Sequence, residues 1–369
     1  MRSPLGRTVC GEPIVLYHQV SRGNNTIRLT NRPAVEDNDF NAIQYTERRP
    51  FEGRNTPLFR GSAPESQAQS HRFKVRGSDM TQTAASSPNV ARMLRGYSIE
   101  VNPNDLRALD AVPARLDPGT EVFLTWIPGA DPMSFIPPAA QLRRAGLVPV
   151  PHIGARHIQS IGQLRQVAER LVGEAGVDRV LLIGGDRNTP AGPYESSLGV
   201  MQSEVFQKLG VTRILIAGFP EGNPNVPEAI LEDALDAKLN FAGRAGLEIS
   251  IVTQFCFEAA PIVEWLRGIR DRGINVPVRI GLAGPASLAT LARYAVRCGI
   301  GNSLHVLTEK PFFAKLLVDK GPLPIIREIA AAADAANPAL LPFGIAGLHF
   351  YVFGGFSKTV DWIHAERSR

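Results

Sequence analysis

The chain has 369 residues, 44% of them hydrophobic, with 40 Lys or Arg against 35 Asp or Glu, a formal charge of +5 and a pI near 9.3. This length and apolar content exclude a small stapled domain and leave room for a core of enzyme size. Three cysteines, Cys10, Cys256 and Cys298, without C-x-x-C spacing, support neither a disulfide framework nor a zinc site.

In chain order, residues 1–79 come first, without sustained periodicity and rich in Arg, Asn, Pro, Ser and Gly. They carry 12 Lys or Arg and 8 Asp or Glu, leaving 28 against 27 in the remainder. The basic balance belongs to this stretch, so no nucleic-acid surface is expected on the folded body. No uninterrupted apolar segment marks a secretion signal, and Glu36, Asp37 and Asp39 fit a transit peptide poorly. The expectation is a disordered leader over residues 1–85, with synthesis from Met80 as an alternative, and one domain over residues 90–369. No run reaches the roughly 20 apolar residues of a membrane-spanning helix, and a cytoplasmic protein is expected.

Eight apolar, β-branched runs follow, each stopped by Pro, Gly or a polar residue. They run from Tyr97 to Val101, Glu121 to Trp126, Leu147 to Ile153, Arg179 to Ile183, Ile214 to Phe219, Ile249 to Gln254, Val276 to Leu282 and Gly347 to Phe353. Helical patterns lie between them. At Ile161 to Ala175 the residues Ile161, Leu164, Val167, Ala168 and Leu171 share a face, and Ala260 to Arg272 is patterned likewise. The segment after the first run, Asn104 to Asp110, is short. Eight alternating units predict a (β/α)8 barrel, of the TIM type, over an open doubly wound sheet. No G-x-G-x-x-G follows the first run, so a dinucleotide-binding Rossmann domain is not expected.

In such a barrel the strand ends ring one mouth, where ligands bind. The polar residues delivered there are Glu100, Thr125, His152, Asp186, Asn223 and Gln254. Two carboxylates, an imidazole and amides suit a polar heterocyclic ligand and acid–base chemistry. His152 and His157 flank a Gly-Ala turn, but no carboxylate completes a metal site, and no metal is expected.

These strand ends resemble the methylenetetrahydrofolate reductases, flavin-dependent (β/α)8 enzymes of one-carbon metabolism and methionine biosynthesis. The resemblance covers roughly Gly96 to Gly301. The family's Ser-Phe-Glu-Phe-Phe-Pro-Pro is matched by Ser98-Ile-Glu-Val-Asn-Pro103, its second-strand Thr by Thr125, and its Pro-His by Pro151-His152. Its Arg-Gly-Asp appears as Gly184-Gly-Asp186, with the following Tyr at Tyr194. Its Gly-Tyr-Pro-Glu-x-His-Pro reads Gly218-Phe-Pro-Glu-Gly-Asn-Pro224, and its Ile-Thr-Gln-Phe-Phe-Phe-Asp reads Val252-Thr-Gln-Phe-Cys-Phe-Glu258. Gly273-Ile-Asn-Val-Pro-Val-Arg-Ile-Gly281 echoes a further family segment. The chain departs at Gly184, where the family has Arg, at Asn223, where it has His, and on the next helix. There Phe241 and Ala242 stand near the family's phosphate-contacting cations, with Lys238 and Arg244 the nearest basic residues.

The resemblance implies an NAD(P)H-linked flavoprotein oxidoreductase interconverting 5,10-methylene- and 5-methyltetrahydrofolate. It implies FAD contacts at Thr125, His152, Gly184, Gly185, Asp186, Tyr194, Phe219 and Asn223, and folate contacts at Gln254 and Tyr294. Glu100 and Asp186 are the candidate catalytic residues, Glu100 as the acid that protonates the folate nitrogen released on ring opening. Each has a plainer alternative: an internal Glu–Arg pair for Glu100, a turn or cap for Asp186, a hydrogen-bonded structural imidazole for His152. Core packing is the plainer role for Tyr194, Phe219 and Tyr294, and Cys256 reads as a small buried apolar residue. Two other readings stay open: a non-catalytic or partner-dependent folate- or flavin-binding barrel, and a flavin-independent reductase. The choice of NADH or NADPH and any homo-oligomer are left open.

Overall fold

The computed structural model describes residues 88–127, 129–223, 226–298, 300, 307, 309–334 and 344–368. The leader expected over residues 1–85, including Met80, lies outside the described residues. Eight strands close into one parallel barrel in chain order. They are β1 (Ser98–Val101), β2 (Glu121–Leu124), β3 (Val148–Gly154), β4 (Arg179–Ile183), β5 (Arg213–Gly218), β6 (Glu248–Thr253), β7 (Val278–Ala283) and β8 (Ile345–Tyr351). β8 closes the ring against β1 through the Ser98–His349 and Ile99–Phe350 pairs. Each strand falls on one of the eight apolar runs, because strands buried on both faces read as near-continuous apolar sequence.

The helices depart from one-per-strand in three places. Pro88–Arg95 precedes β1 and packs against β8. After β4 the chain makes two short helices, Ser197–Gln202 and Val205–Lys208, broken at Glu204, which sits at φ 55°. After β7 come Leu288–Arg297, Pro311–Lys320 and Leu323–Asp334. Elsewhere the expectation holds. Leu106–Ala111 after β1 is short, Ala259–Asp271 shows the expected buried stripe, and Ile161–Ala175 buries Leu164, Val167, Ala168 and Leu171, whereas Ile161, expected on the same face, is exposed at the first turn.

Residues paired in register share a face. From β1 to β3, Glu100, Phe123 and Val150 are partners, and Glu100, His152, His349 and Tyr351 are all buried. Gly281 is tightly enclosed by backbone and side chains. A Cβ there would lie 2.1 Å from the Thr253 carbonyl oxygen and 2.8 Å from the Tyr351 ring. Glycine leaves Tyr351 room to donate its hydroxyl to that carbonyl at 2.9 Å.

The lower end of the barrel is plugged by charge. Glu121 at the start of β2 pairs with Arg179 of β4, and its Oε2 lies 2.7 Å from Arg279 Nη2 of β7. Arg179 also holds Asp178 at 3.0 Å, and Arg279 donates to the Gly96 carbonyl at 2.7 Å. In (β/α)8 proteins this end carries stability and the opposite end carries function.

Candidate active site

The upper interior is built around Glu100. Its Oε1 lies 3.7 Å from His152 Nε2 on β3 and 3.6 Å from His349 Nε2 on β8. Ser98, two residues earlier on β1, places its Oγ 3.0 Å from His349 Nδ1. The Phe123 ring stands beside both imidazoles, with centroids 4.4 Å from His349 and 5.9 Å from His152. Glu100 is 3% exposed, His152 2% and His349 0%. The two imidazoles, not an internal Arg, are what face this carboxyl.

Separations of 3.6–3.7 Å are within charge reach but beyond a hydrogen bond. Glu100 Oε1, both nitrogens of His152 and His349 Nε2 have no hydrogen-bond partner, and the same holds for Thr125 Oγ1, Trp126 Nε1 and Gln254 Nε2. Such groups are rare in folded proteins, and each costs about 1–3 kcal/mol. Seven of the eleven such atoms among the described residues lie on or just after β1, β2, β3, β6 and β8, the pattern expected where a ligand supplies missing partners. His152 is therefore not the satisfied structural histidine that sequence alone left open.

Burial pushes Glu100 well above the usual carboxylate range. It also pulls His152 down to about 3. His349 falls well below its ordinary value through burial first, then the neighbouring His152 and Arg279. Burial thus favours the neutral form of all three groups.

This sets a pH signature. Below the ordinary histidine value of 6.5 the unfolded chain binds protons on both imidazoles that the barrel refuses, so each imidazole removes stability as pH falls. Glu100 acts oppositely, because unfolded it ionises above 4.5 while folded it keeps its proton; its contribution is full below 4.5 and is lost as pH rises towards its raised value. Between those pH values two imidazoles outweigh one carboxyl, and the trio should make stability rise by about 1.4 kcal/mol per pH unit. His152→Gln should bring the trio's share of that slope to near zero, measured by urea unfolding across the window. An unchanged slope would mean that the folded ring is already protonated.

At the rim, β3 and β4 contribute a second pair. His157 Nε2 lies 2.6 Å from Asp186 Oδ1. Gly185 has φ 93°, and a Cβ there would meet His157 Cδ2 at 2.8 Å. That glycine makes room for the His157 ring, which packs against Trp126 with centroids 5.3 Å apart. Asp186 is thus neither a plain turn residue nor a cap. The pairing was missed because His157 was weighed only as a metal ligand. The available signal was adjacency: loops leaving neighbouring parallel strands must meet, and one carried His and the other Asp.

Arg156 fixes the loop beyond. Its guanidinium donates to the carbonyls of Arg187, at 2.6 Å, Asn188 and Glu195, at 3.0 Å. Its backbone bonds the Gly184 carbonyl and the Ala191 amide, both at 2.8 Å. Within that loop Tyr194 is buried, packs near Gly199 and directs its hydroxyl to Ser203.

On the β5–β6 side Phe219, Glu221 and Asn223 are part-exposed along the rim. Gln254 is 5% exposed; its Oε1 accepts from the Phe255 amide at 3.1 Å while its Nε2 lacks a partner. Cys256 is buried, and burial followed by the Glu221 carboxylate pushes its thiol far up, so it is no nucleophile. Tyr294 stacks on Phe353 at 4.1 Å, and Phe353 meets Phe255 edge-on at 5.0 Å. These rings form an aromatic wall between β6 and β8. Glu100, Thr125, His152 and Gln254 thus share the buried upper interior, Asp186 stands at the rim, and Tyr194 and Tyr294 sit in packed surroundings.

No protein-family model matches the chain. Among the described residues no helix is long and apolar enough to cross a membrane, and no group of three His, Cys, Asp or Glu side chains could hold a metal ion. The donor set does fit the polar edge of a flat heterocycle: Thr125 Oγ1, the His152 nitrogens and Gln254 Nε2 are buried and unpaired. For an anionic group the notable cation is Lys238, on the buried side of helix Glu228–Ala245, which burial pulls down to about 8.

Proposed function

We propose that the chain is a flavin-dependent oxidoreductase interconverting 5,10-methylenetetrahydrofolate and 5-methyltetrahydrofolate, with NAD(P)H as its nicotinamide partner. The observation that carries this reading is Glu100, a buried carboxyl at the functional end of the barrel, ringed by polar groups without partners. The strand-end motifs shared with the methylenetetrahydrofolate reductases supply the substrate class. Thr125, His152, Gly184, Gly185, Asp186, Phe219 and Asn223 would hold FAD by its ring. When bound, FAD supplies the hydride exchange between nicotinamide and folate.

The chain's own part is protonation and orientation. Opening of the five-membered folate ring breaks the bond from the bridging carbon to the anilide nitrogen, and the electron pair goes to nitrogen. Glu100 gives its proton there, and burial keeps that proton on the carboxyl at neutral pH until it is needed. Gln254 offers an unspent amide donor to the substrate, and the aromatic wall excludes water.

A second reading, a flavin-independent reductase or a folate-binding barrel without catalysis, is favoured by one specific feature. His157 fills the space beside Gly185 and already engages Asp186, which leaves less room for a flat ring there. The visible spectrum of the purified full chain separates these readings. A flavin spectrum bleached anaerobically by NADH or NADPH, and restored by methylenetetrahydrofolate, is expected. A colourless protein that still oxidises the nicotinamide with folate points to the flavin-independent enzyme. A colourless, inert protein that binds folate points to the binding barrel.

A further inference from the structure

Behind Glu100 lies a chain of contacts that the reaction itself does not use. Ser98 Oγ is 3.0 Å from His349 Nδ1 and 3.4 Å from the Leu348 carbonyl oxygen. The hydroxyl has one hydrogen, and a carbonyl can only accept. Both contacts are satisfied together only when Ser98 donates to Leu348 and accepts from an Nδ1–H. That assignment leaves His349 Nε2 as a bare acceptor, pointing towards Glu100 Oε1 at 3.6 Å. The ring has little freedom to do otherwise, since it is fully buried, lies 4.4 Å from Phe123 and meets Tyr351 edge-on at 4.8 Å. His152, in contrast, has neither nitrogen bonded.

We propose that His349, locked by Ser98 as the Nδ1–H tautomer, is a positioning residue that orients the Glu100 carboxyl and favours its acid form. In this order Nδ1–H donates to Ser98, Ser98 O–H donates to Leu348, and the bare Nε2 faces the Glu100 carboxyl across 3.6 Å. Ionised Glu100 would instead face a lone pair, which disfavours loss of the proton to bulk solvent. The titratable and charged groups around this pair are His152 from β3, Tyr351 from β8 and Arg279 from β7. Burial keeps the first two neutral, and Arg279 is engaged by Glu121 and Gly96. The role assigned to His349 rests on the proposed role of Glu100, but its tautomer is testable without any ligand.

The test is the ring nitrogen NMR spectrum of the full chain labelled at histidine, followed from pH 5 to pH 8, with the His349 signals assigned by through-bond correlation to its own backbone, independently of Ser98→Ala. We expect a neutral His349 ring throughout, protonated at Nδ1, and a shift towards the Nε2–H form in Ser98→Ala. A His349 imidazolium at neutral pH, an Nε2–H ring in the unaltered chain, or a tautomer indifferent to Ser98→Ala would each overturn the proposal. Ser98→Ala removes one hydroxyl and serves where a His349 variant fails to fold. In turnover, Ser98→Ala should lower kcat for folate by roughly 10-fold, move the pH profile and leave KM and nicotinamide-driven bleaching nearly unchanged. Loss of KM and kcat together, with a normal pH profile, would mark a merely structural role. A colourless protein with the expected tautomer would sink the flavin reading and leave the His349 assignment standing.

Discussion

On the proposed reading, Glu100→Gln should leave the barrel folded and remove nearly all folate turnover. The expected loss is about 100-fold or more, the usual scale for a missing general acid. The fold should survive because burial raises Glu100 and favours its neutral form, which a neutral amide of the same shape imitates. The comparison that decides the role is between half-reactions. Bleaching by reduced nicotinamide involves no folate nitrogen and should proceed near its normal rate, whereas recovery of colour with methylenetetrahydrofolate should collapse. Stopped-flow absorbance measures both. Slowing of both halves would make Glu100 a structural or cofactor-positioning group, and slowing of neither would move the acid elsewhere.

The second large effect lies at the opposite end and concerns stability. Glu121 is the shared partner of Arg179 and Arg279, with side-chain exposures of 11%, 19% and 17%. Its Oε2 contact with Arg279 is a charge contact without hydrogen-bond alignment. Glu121→Ala would leave two poorly hydrated guanidiniums facing each other, a loss of about 3–5 kcal/mol for breaking a buried pair from one side. Arg179 would keep Asp178, so Arg279 bears most of the damage. A fall in Tm on the order of 10 °C is expected for a domain of this size, read by a thermal scan. Glu121→Gln should cost clearly less, since it still fills the space and accepts one hydrogen bond. Equal and small effects in both variants would show that water reaches the plug.

The barrel was legible because buried parallel strands leave an unmistakable record: eight apolar runs, each ended by Pro, Gly or a polar side chain. Those endings also named Glu100, Thr125, His152 and Gln254, which the fold brings into one buried upper interior. His349 stayed hidden because it lies in the middle of an apolar run, Gly347 to Phe353, away from its end. Only closure of β8 onto β1 aligns it with Ser98 and Glu100, and closure is a long-range event with no local signature. His157 stayed hidden for a similar reason, since its meaning depends on Asp186 in the neighbouring loop. The split helix after β4 turns on the left-handed backbone at Glu204, a residue type that gives no such warning.

Arg156 has a mechanical consequence. Three carbonyls from residues 187 to 195 converge on one guanidinium rooted at the end of β3, and the backbone of the same residue ties both Gly184 and Ala191. The segment carrying Asp186 is therefore an extension of the sheet in stiffness, although it is a loop in shape. The Ala191 amide, which donates to the Arg156 carbonyl, should exchange slowly with solvent. Chains with this barrel can lengthen other rim loops to accept new ligands, whereas an insertion here would break the grip of Arg156 on its three carbonyls beside the place where His157 meets Asp186.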